Sequence, residues 1–254
     1  MKISVITVTK NSAITVGRTV RSVAVQKDVQ FEHIIKDAYS SDKTVSIAKK
    51  INSNITVFIQ SDIGIYDAMN QGFLHSTGDV IAFLNSDDYY IDDHVLCEVI
   101  DCFAKNQCDY VYGNIRMTSV TGEVVREWTV GEIGTKGLVG QQIPHPGLFI
   151  RRSVFEKIGM PFDPTYKISA DFKQQLIMIN HFKLKGAYLN RIVVVMETGG
   201  ESTQSFASYF LGWRESVRAY NEVFGSGGFF FVIKKVFSKL NGLKVFAQIT
   251  HFGK

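Results

Sequence analysis

The feature that most constrains this chain is an alternation in its first half. Strand-like runs "KISVITVT", "FEHIIKDA", "ITVFIQ", "DVIAFLN" and "CDYVYGNIRM" are separated by helix-like stretches. The first stretch spans about Ala13 to Val25; the others are "SSDKTVSIAKKI", "GIYDAMNQGFLHS" and "DDHVLCEVIDCFAKN". Strand, helix, strand repeated in this way predicts a parallel α/β sheet with right-handed crossovers. Such sheets bind ligands outside the carboxyl ends of their strands. Three acids fall at that edge: Asp37 after the second strand, and Asp87 and Asp88 after the fourth.

The second half is less regular. A hairpin is expected around "VTGE", then a strand running into a helix in "HPGLFIRRSVFEKIG". "SADFKQQLIMINHF" reads as a helix and "AYLNRIVVVME" as a strand; residues 206–225 and 229–249 read as terminal helices. In the latter, Phe229, Ile233, Val236, Phe237, Leu240 and Leu243 fall on one side, away from Lys234, Lys235 and Lys239.

The net charge of +4 is too small to argue for nucleic acid, and most of the excess is local. Phe229 to Lys254 holds five lysines and no acid, which suits a helix lying on an anionic membrane surface. A packed surface helix or an oligomer contact remains open for the same segment. Cys97, Cys102 and Cys108 are odd in number and form no CxxC pair, so reduced cysteines in a cytoplasmic protein are expected. The start of the chain reads as a strand and not as a signal peptide. Apolar runs of about five residues are far short of the ~20 a spanning helix needs.

Adjacent carboxylates repel, and a hard divalent cation relieves the repulsion. Asp87 and Asp88 therefore point to Mg²⁺ or Mn²⁺, with substrate phosphates filling the remaining positions; a helix N-cap is the plainer alternative. Asp37 can accept from a base imide or a ribose hydroxyl, while Ser40 to Asp42 suit a turn and cap. Neither GxGxxG after the first strand nor GxxxxGK[ST] is present, which argues against nicotinamide and P-loop chemistry. Asp171 in "KISADFKQQL" is either a general base or an acid favoured by a helix dipole. His145 in "QIPHPGLF" is either a metal or phosphate ligand or a buried ring.

In order, "SVITVTKNS", "DAYSSDKT", "DIGIYDAMNQG", "TGDVIAFLNSDDYY", "HPGLFIRR", "SADF" and "GGES" resemble the family 2 glycosyltransferases. These are inverting nucleotide-sugar enzymes of GT-A fold, and the likeness runs from Met1 to about Ser202, closest to the bacterial polysaccharide branch. The resemblance implies a GT-A domain over 1–202, with a nucleotide-sugar half at 1–113 and an acceptor half at 114–202. Residues 203–254 would then be a basic helical extension. It implies nucleotide-sugar contacts by Thr7, Thr9, Asn11, Asp37, Asp67, Asn70 and Asp87. It makes Asp88 the direct metal ligand, Asp87 a ribose or outer contact, and Asp171 the catalytic base; His145 stays an additional candidate ligand from its own setting between two prolines.

The expected reaction is metal-dependent transfer of one sugar from a UDP-linked donor to a saccharide hydroxyl. A lipid-linked acceptor at the inner face of the plasma membrane, in bacterial surface polysaccharide synthesis, fits the family branch and the basic terminus. An oligomer is compatible with this. The chain departs from the family at Lys10, Ala38, Met69, Asn85 and Ala170, and lacks QxxRW after "DFKQQL", which argues against processive synthesis. Met69 stands where an arginine would contact phosphate. The alternatives are a sugar-phosphate nucleotidyltransferase, which would want a glycine- and Arg-containing loop after the first strand, and a non-catalytic nucleotide-sugar-binding scaffold.

Overall fold

The computed structural model describes residues 1–198 and 206–234. The first half contains β1 (Lys2–Thr9), α1 (Val16–Ala24), β2 (Gln30–Asp37), α2 (Thr44–Ile51), β3 (Thr56–Ile59), α3 (Ile65–Leu74) and β4 (Val80–Phe83). Next come β5 (Tyr89–Tyr90), α4 (Val95–Asn106), β6 (Tyr110–Thr118), β7 (Val124–Trp128), β8 (Leu148–Arg151) and α5 (Arg152–Ile158). The chain continues with α6 (Ala170–Gln175), a π-helical turn over Leu176–His181, β9 (Gly186–Glu197) and α7 (Phe206–Phe224).

The strands form one sheet in the order β3-β2-β1-β4-β8-β6-β9-β5, with β7 added to β6. The first four positions are parallel, as the alternation predicts. The next strand-like run does not continue them. β8 inserts between β4 and β6, antiparallel to both. The crossover through α4 therefore passes over a gap that a strand some 30 residues later in sequence fills. The result is a mixed, mostly parallel sheet. β5 was not expected: Tyr89 and Tyr90, read as part of the acidic loop, pair with Val195 and Val194 of β9.

Alternation along the strands sends side chains to two cores. Ile3, Val5, Val80 and Ala82 meet α4 through Val95, Val99 and Phe103. Ile6, Val8, Ile81 and Phe83 meet α3, α5 and α6 through Met69, Phe155 and Phe172. In α3, Tyr66, Met69, Asn70 and Phe73 share one face at i, i+3, i+4 and i+7 spacing. Gly72 lets that helix approach β1, because a Cβ there would collide with Ile6 Cγ2.

α7 is packed on this second core and contributes Ala219. Residues 228–234 are also helical. Their inward side chains are Phe231 and Val232, while Phe229 is 63% exposed, so the apolar face is rotated from the one the wheel suggests. The reason is tertiary packing: Phe231 fits against Phe172 and Tyr220, with ring centroids 5.7 and 4.8 Å away. Val236, Phe237, Leu240 and Leu243 lie outside the described residues. No described helix is long and apolar enough to cross a membrane.

Candidate active site

Three loops meet at the carboxyl edge of the parallel strands. Thr9 and Asp37 are register partners at the ends of β1 and β2, and Thr9 Oγ1 donates to Asp37 Oδ2 at 2.8 Å. Asp37 also accepts from Ser40 N (2.8 Å) and Ser40 Oγ (2.6 Å), so a nearly buried carboxylate is held by three donors. Asn11, at a left-handed φ of 51°, donates its N–H to Ser40 Oγ, and its Oδ1 accepts from Ser41 N at 2.9 Å. Tyr39 takes the same backbone conformation and is 67% exposed two residues past Asp37. Thr7 is fully buried against His33, its Oγ1 3.0 Å from Nε2.

The third loop carries the acid pair. Ser86 Oγ donates to Ser12 Oγ at 2.9 Å, joining it to the loop after β1. Thr19 Oγ1 of α1 lies 2.9 Å from the carbonyl of Ser86 and 2.7 Å from that of Asp88. Arg18 Nη2 donates to Asp87 O at 3.1 Å and to Glu197 Oε2 at 2.5 Å, and its guanidinium lies 4.4 Å from the Tyr89 ring centroid.

Asp88 is 1% exposed; its Oδ2 accepts from Asn85 Nδ2 at 3.1 Å. Asp88 Oδ1 and Asn85 Oδ1 are buried with no hydrogen-bond partner. Burial, reinforced by the charge of Asp87, pushes the Asp88 carboxyl well above its usual range. Burial also raises Asp87, where Glu197 adds to the effect and Arg18 opposes it. Orphaned oxygens on buried Asp88 and neighbouring Asn85, with Asp87 beside them, fit a hard cation. The described residues contain no cluster of three or more His, Cys, Asp or Glu able to hold a metal. Protein ligands here would therefore be few, as at Mg²⁺ sites completed by water and substrate phosphate.

Asp171 stands in the first turn of α6. Gln142 Nε2 donates to its Oδ2 at 2.7 Å, and the Tyr66 hydroxyl lies 3.4 Å from Oδ1. That hydroxyl donates to Ile168 O at 2.5 Å. Burial, with the charge of Asp171 added, holds the Tyr66 phenol well above its ordinary value of 10.0, so it stays a neutral donor.

His145 is sealed between Phe83 and Phe162, with ring centroids 5.6 and 5.3 Å away. Both ring nitrogens are buried without partners. Burial pushes its pKa down, while the charge of Asp171 opposes that.

The remaining sequence candidates have local partners. Asp67 Oδ2 accepts from Ile63 N (3.0 Å) and Gln71 Nε2 (3.1 Å) at the start of α3. Asn70 exchanges both amide bonds with the backbone of Phe162, at 2.7 and 3.0 Å, and so anchors the segment leading to α6. Met69 is 2% exposed in the core, and Lys10 is exposed at the end of β1.

Residues 4–159 match Glycosyl transferase family 2. The chain belongs to that family. A PGL/p-HBAD biosynthesis glycosyltransferase of Mycobacterium bovis is 28% identical over 214 residues, covering 82% of each chain. Among solved structures, S. aureus TarS 1-349 in complex with UDP-GlcNAc superposes with a TM-score of 0.66 at 18% identity, covering 88% of this chain and 68% of that one. The chain spans only 40% of the longer TarS structure. The mannosyltransferase PcManGT from Pyrobaculum calidifontis, in complex with GDP-Man and Mn²⁺, gives 0.64 at 14% identity, with 89% and 64% covered. At these identities the structural likeness establishes the GT-A fold, and the matched family makes the chain a glycosyltransferase.

Sequence reasoning passed over Arg18, Glu197, Tyr66 and Gln142. Arg18 meets Asp87 and Glu197 across 69 and 179 residues, and no local pattern marks such a pair. Tyr66 carried a usable signal, since it lies inside the quoted "DIGIYDAMNQG".

Proposed function

We propose that this family 2 member transfers one sugar, with inversion, from a UDP-linked donor to a hydroxyl of a saccharide acceptor. The observation that carries the reading is one sheet edge holding an acid pair, of which buried Asp88 has an orphaned oxygen, while Asp171 is held by Gln142 and Tyr66. Asp37 and the loop of Asn11 would take the base and ribose, and exposed Tyr39 offers a ring to stack on the base. Asp88, with Asp87 and Asn85 beside it, would hold Mn²⁺ or Mg²⁺, which when bound neutralises a diphosphate leaving group.

Asp171 would accept the proton of the acceptor hydroxyl as that oxygen attacks the anomeric carbon from the face opposite the diphosphate. A single displacement of this kind inverts configuration through an oxocarbenium-like transition state. A carboxylate suffices as the base, because the hydroxyl becomes acidic only as the bond forms. Gln142 and Tyr66 would orient the carboxylate oxygens.

The acceptor is proposed to be lipid-linked and met at an anionic membrane surface on the cytoplasmic side. Supporting this, α7 exposes Tyr209, Phe210 and Trp213 beside Arg214, and a largely apolar groove of about 580 Å³ runs between α7 and residues 228–234. Aromatic and basic side chains together favour a headgroup interface. Bacterial surface polysaccharide is the proposed product.

Asp171→Asn tests the reading. Thermal stabilisation by a UDP-sugar with Mn²⁺ is expected to persist, while turnover falls about 10²–10⁴-fold. Wild-type turnover in the variant would remove Asp171 from the mechanism.

A further inference from the structure

Glu215 is a charged residue near the middle of α7, 7% exposed, on a helix that the sequence reading placed outside the catalytic domain. A buried carboxylate is expensive unless it is fully hydrogen-bonded. Here the donors are successive backbone amides of the segment entering α6. Lys167 N lies 2.8 Å from Oε1, and Ile168 N and Ser169 N each lie 2.9 Å from Oε2. A carboxylate collecting three consecutive N–H groups imposes one backbone conformation on them.

The same short segment is gripped from its other sides. Ile168 O accepts from the Tyr66 hydroxyl, which also faces Asp171. Ser169 Oγ donates to Gly212 O of α7 at 3.1 Å, and Ser169 O accepts the first helical bond of α6 from Lys173 N. Asp171 is two residues beyond. Its carboxylate position thus follows from where Glu215 fixes the peptides of 167–169, and the charge of Glu215 also acts on Tyr66.

We propose that Glu215 is a positioning residue for the base Asp171, making α7 part of the catalytic apparatus. This rests on the reading of Asp171 as the base. An apolar residue would fill the same volume, but would leave three amides without their acceptor, that of Ser169 buried, and the segment free to shift. Misplacement by about 1 Å costs on the order of 10²-fold in rate without weakening a donor bound elsewhere.

The test uses the full chain and UDP release from the UDP-sugar that stabilises it most with Mn²⁺. Glutamine keeps the shape of Glu215 but has one acceptor oxygen, so Glu215→Gln is expected to lower kcat about tenfold and Glu215→Ala about a hundredfold. KM and the dissociation constant for the donor should stay within about twofold. Amide exchange at residues 167–169 should accelerate in both variants, which reads the proposed link even if turnover is slow. In an Asp171→Asn background Glu215→Ala should cost nothing further, because both act through one carboxylate.

Wild-type kcat in Glu215→Ala, alongside an inactive Asp171→Asn, would overturn the role of Glu215 and leave the base intact. A parallel loss of donor affinity and kcat would overturn it too, since that marks general destabilisation. Turnover in Asp171→Asn would instead overturn the base assignment.

Discussion

Gln142 donates a 2.7 Å hydrogen bond from its side-chain amide to Oδ2 of Asp171, across 29 residues of chain. The bond turns one carboxylate oxygen toward the 140s loop and leaves Oδ1 facing Tyr66. Gln142→Ala is expected to lower kcat about tenfold with little change in donor KM, the signature of an interaction used in the transition state. Gln142→Glu should cost more than Gln142→Ala, because a like charge then stands where the amide donor stood. Equal kcat in the two variants would show that the two side chains part during turnover.

Asp88 makes opposite demands on the free and the loaded protein. Burial and Asp87 disfavour its charge, and Oδ1 has no hydrogen-bond donor. Asp88→Asn should therefore leave the free protein equally or more stable, with Tm higher by a few degrees for each ~1 kcal/mol gained. The same variant should lose the stabilisation that a UDP-sugar with Mn²⁺ supplies, about 2.7 kcal/mol at a hundredfold excess over Kd. EDTA should have the same effect on the wild type. Thermal melts with and without donor check both, and a donor shift that survives in Asp88→Asn would refute the cation reading.

Glu32 ties the far edge of the sheet together. Its carboxylate accepts from Lys2 Nζ (2.7 Å), Ser4 Oγ (2.6 Å) and Thr77 N (2.6 Å). Burial pushes its pKa up, but these donors outweigh that and hold it at about 2, below the ordinary 4.5. A depressed carboxylate stabilises the fold above its unfolded pKa, and that contribution is lost as pH falls through the folded one. Allowing for partial exposure, Glu32→Gln should cost about 1–2 kcal/mol at pH 7. The difference from wild type should shrink below about pH 4.5 and vanish near pH 2. Denaturant titrations across that range measure it, and a constant difference would contradict the linkage.

Much of the edge that carries Asp37 and Asp88 is legible along the chain because its causes are local. β1 alternates and is bounded by polar residues; Ser40, Asp42 and Thr44 form turn bonds with near neighbours; the apolar run of β4 must stop where Asn85 to Asp88 begin. The second half of the chain is much less legible. β8 enters the sheet between strands far from it in sequence, β5 is two residues long, and the outward turn of Phe229 depends on Phe231 finding Phe172. Each is a choice among contacts that local propensity leaves nearly equal.

What the sequence determined by itself was the alternation that builds a parallel sheet, and hence the edge where Asp37, Asp87 and Asp88 stand. Periodicity and strand ends are properties of neighbouring residues, so they can be read in one dimension. The tertiary structure alone decided how the acids are held: Arg18 between Asp87 and Glu197, Gln142 and Tyr66 on Asp171, and Glu215 under the segment that carries it. Those bonds join residues up to 179 positions apart. Their energies depend on burial and direction, which exist only once the sheet and its helices have packed.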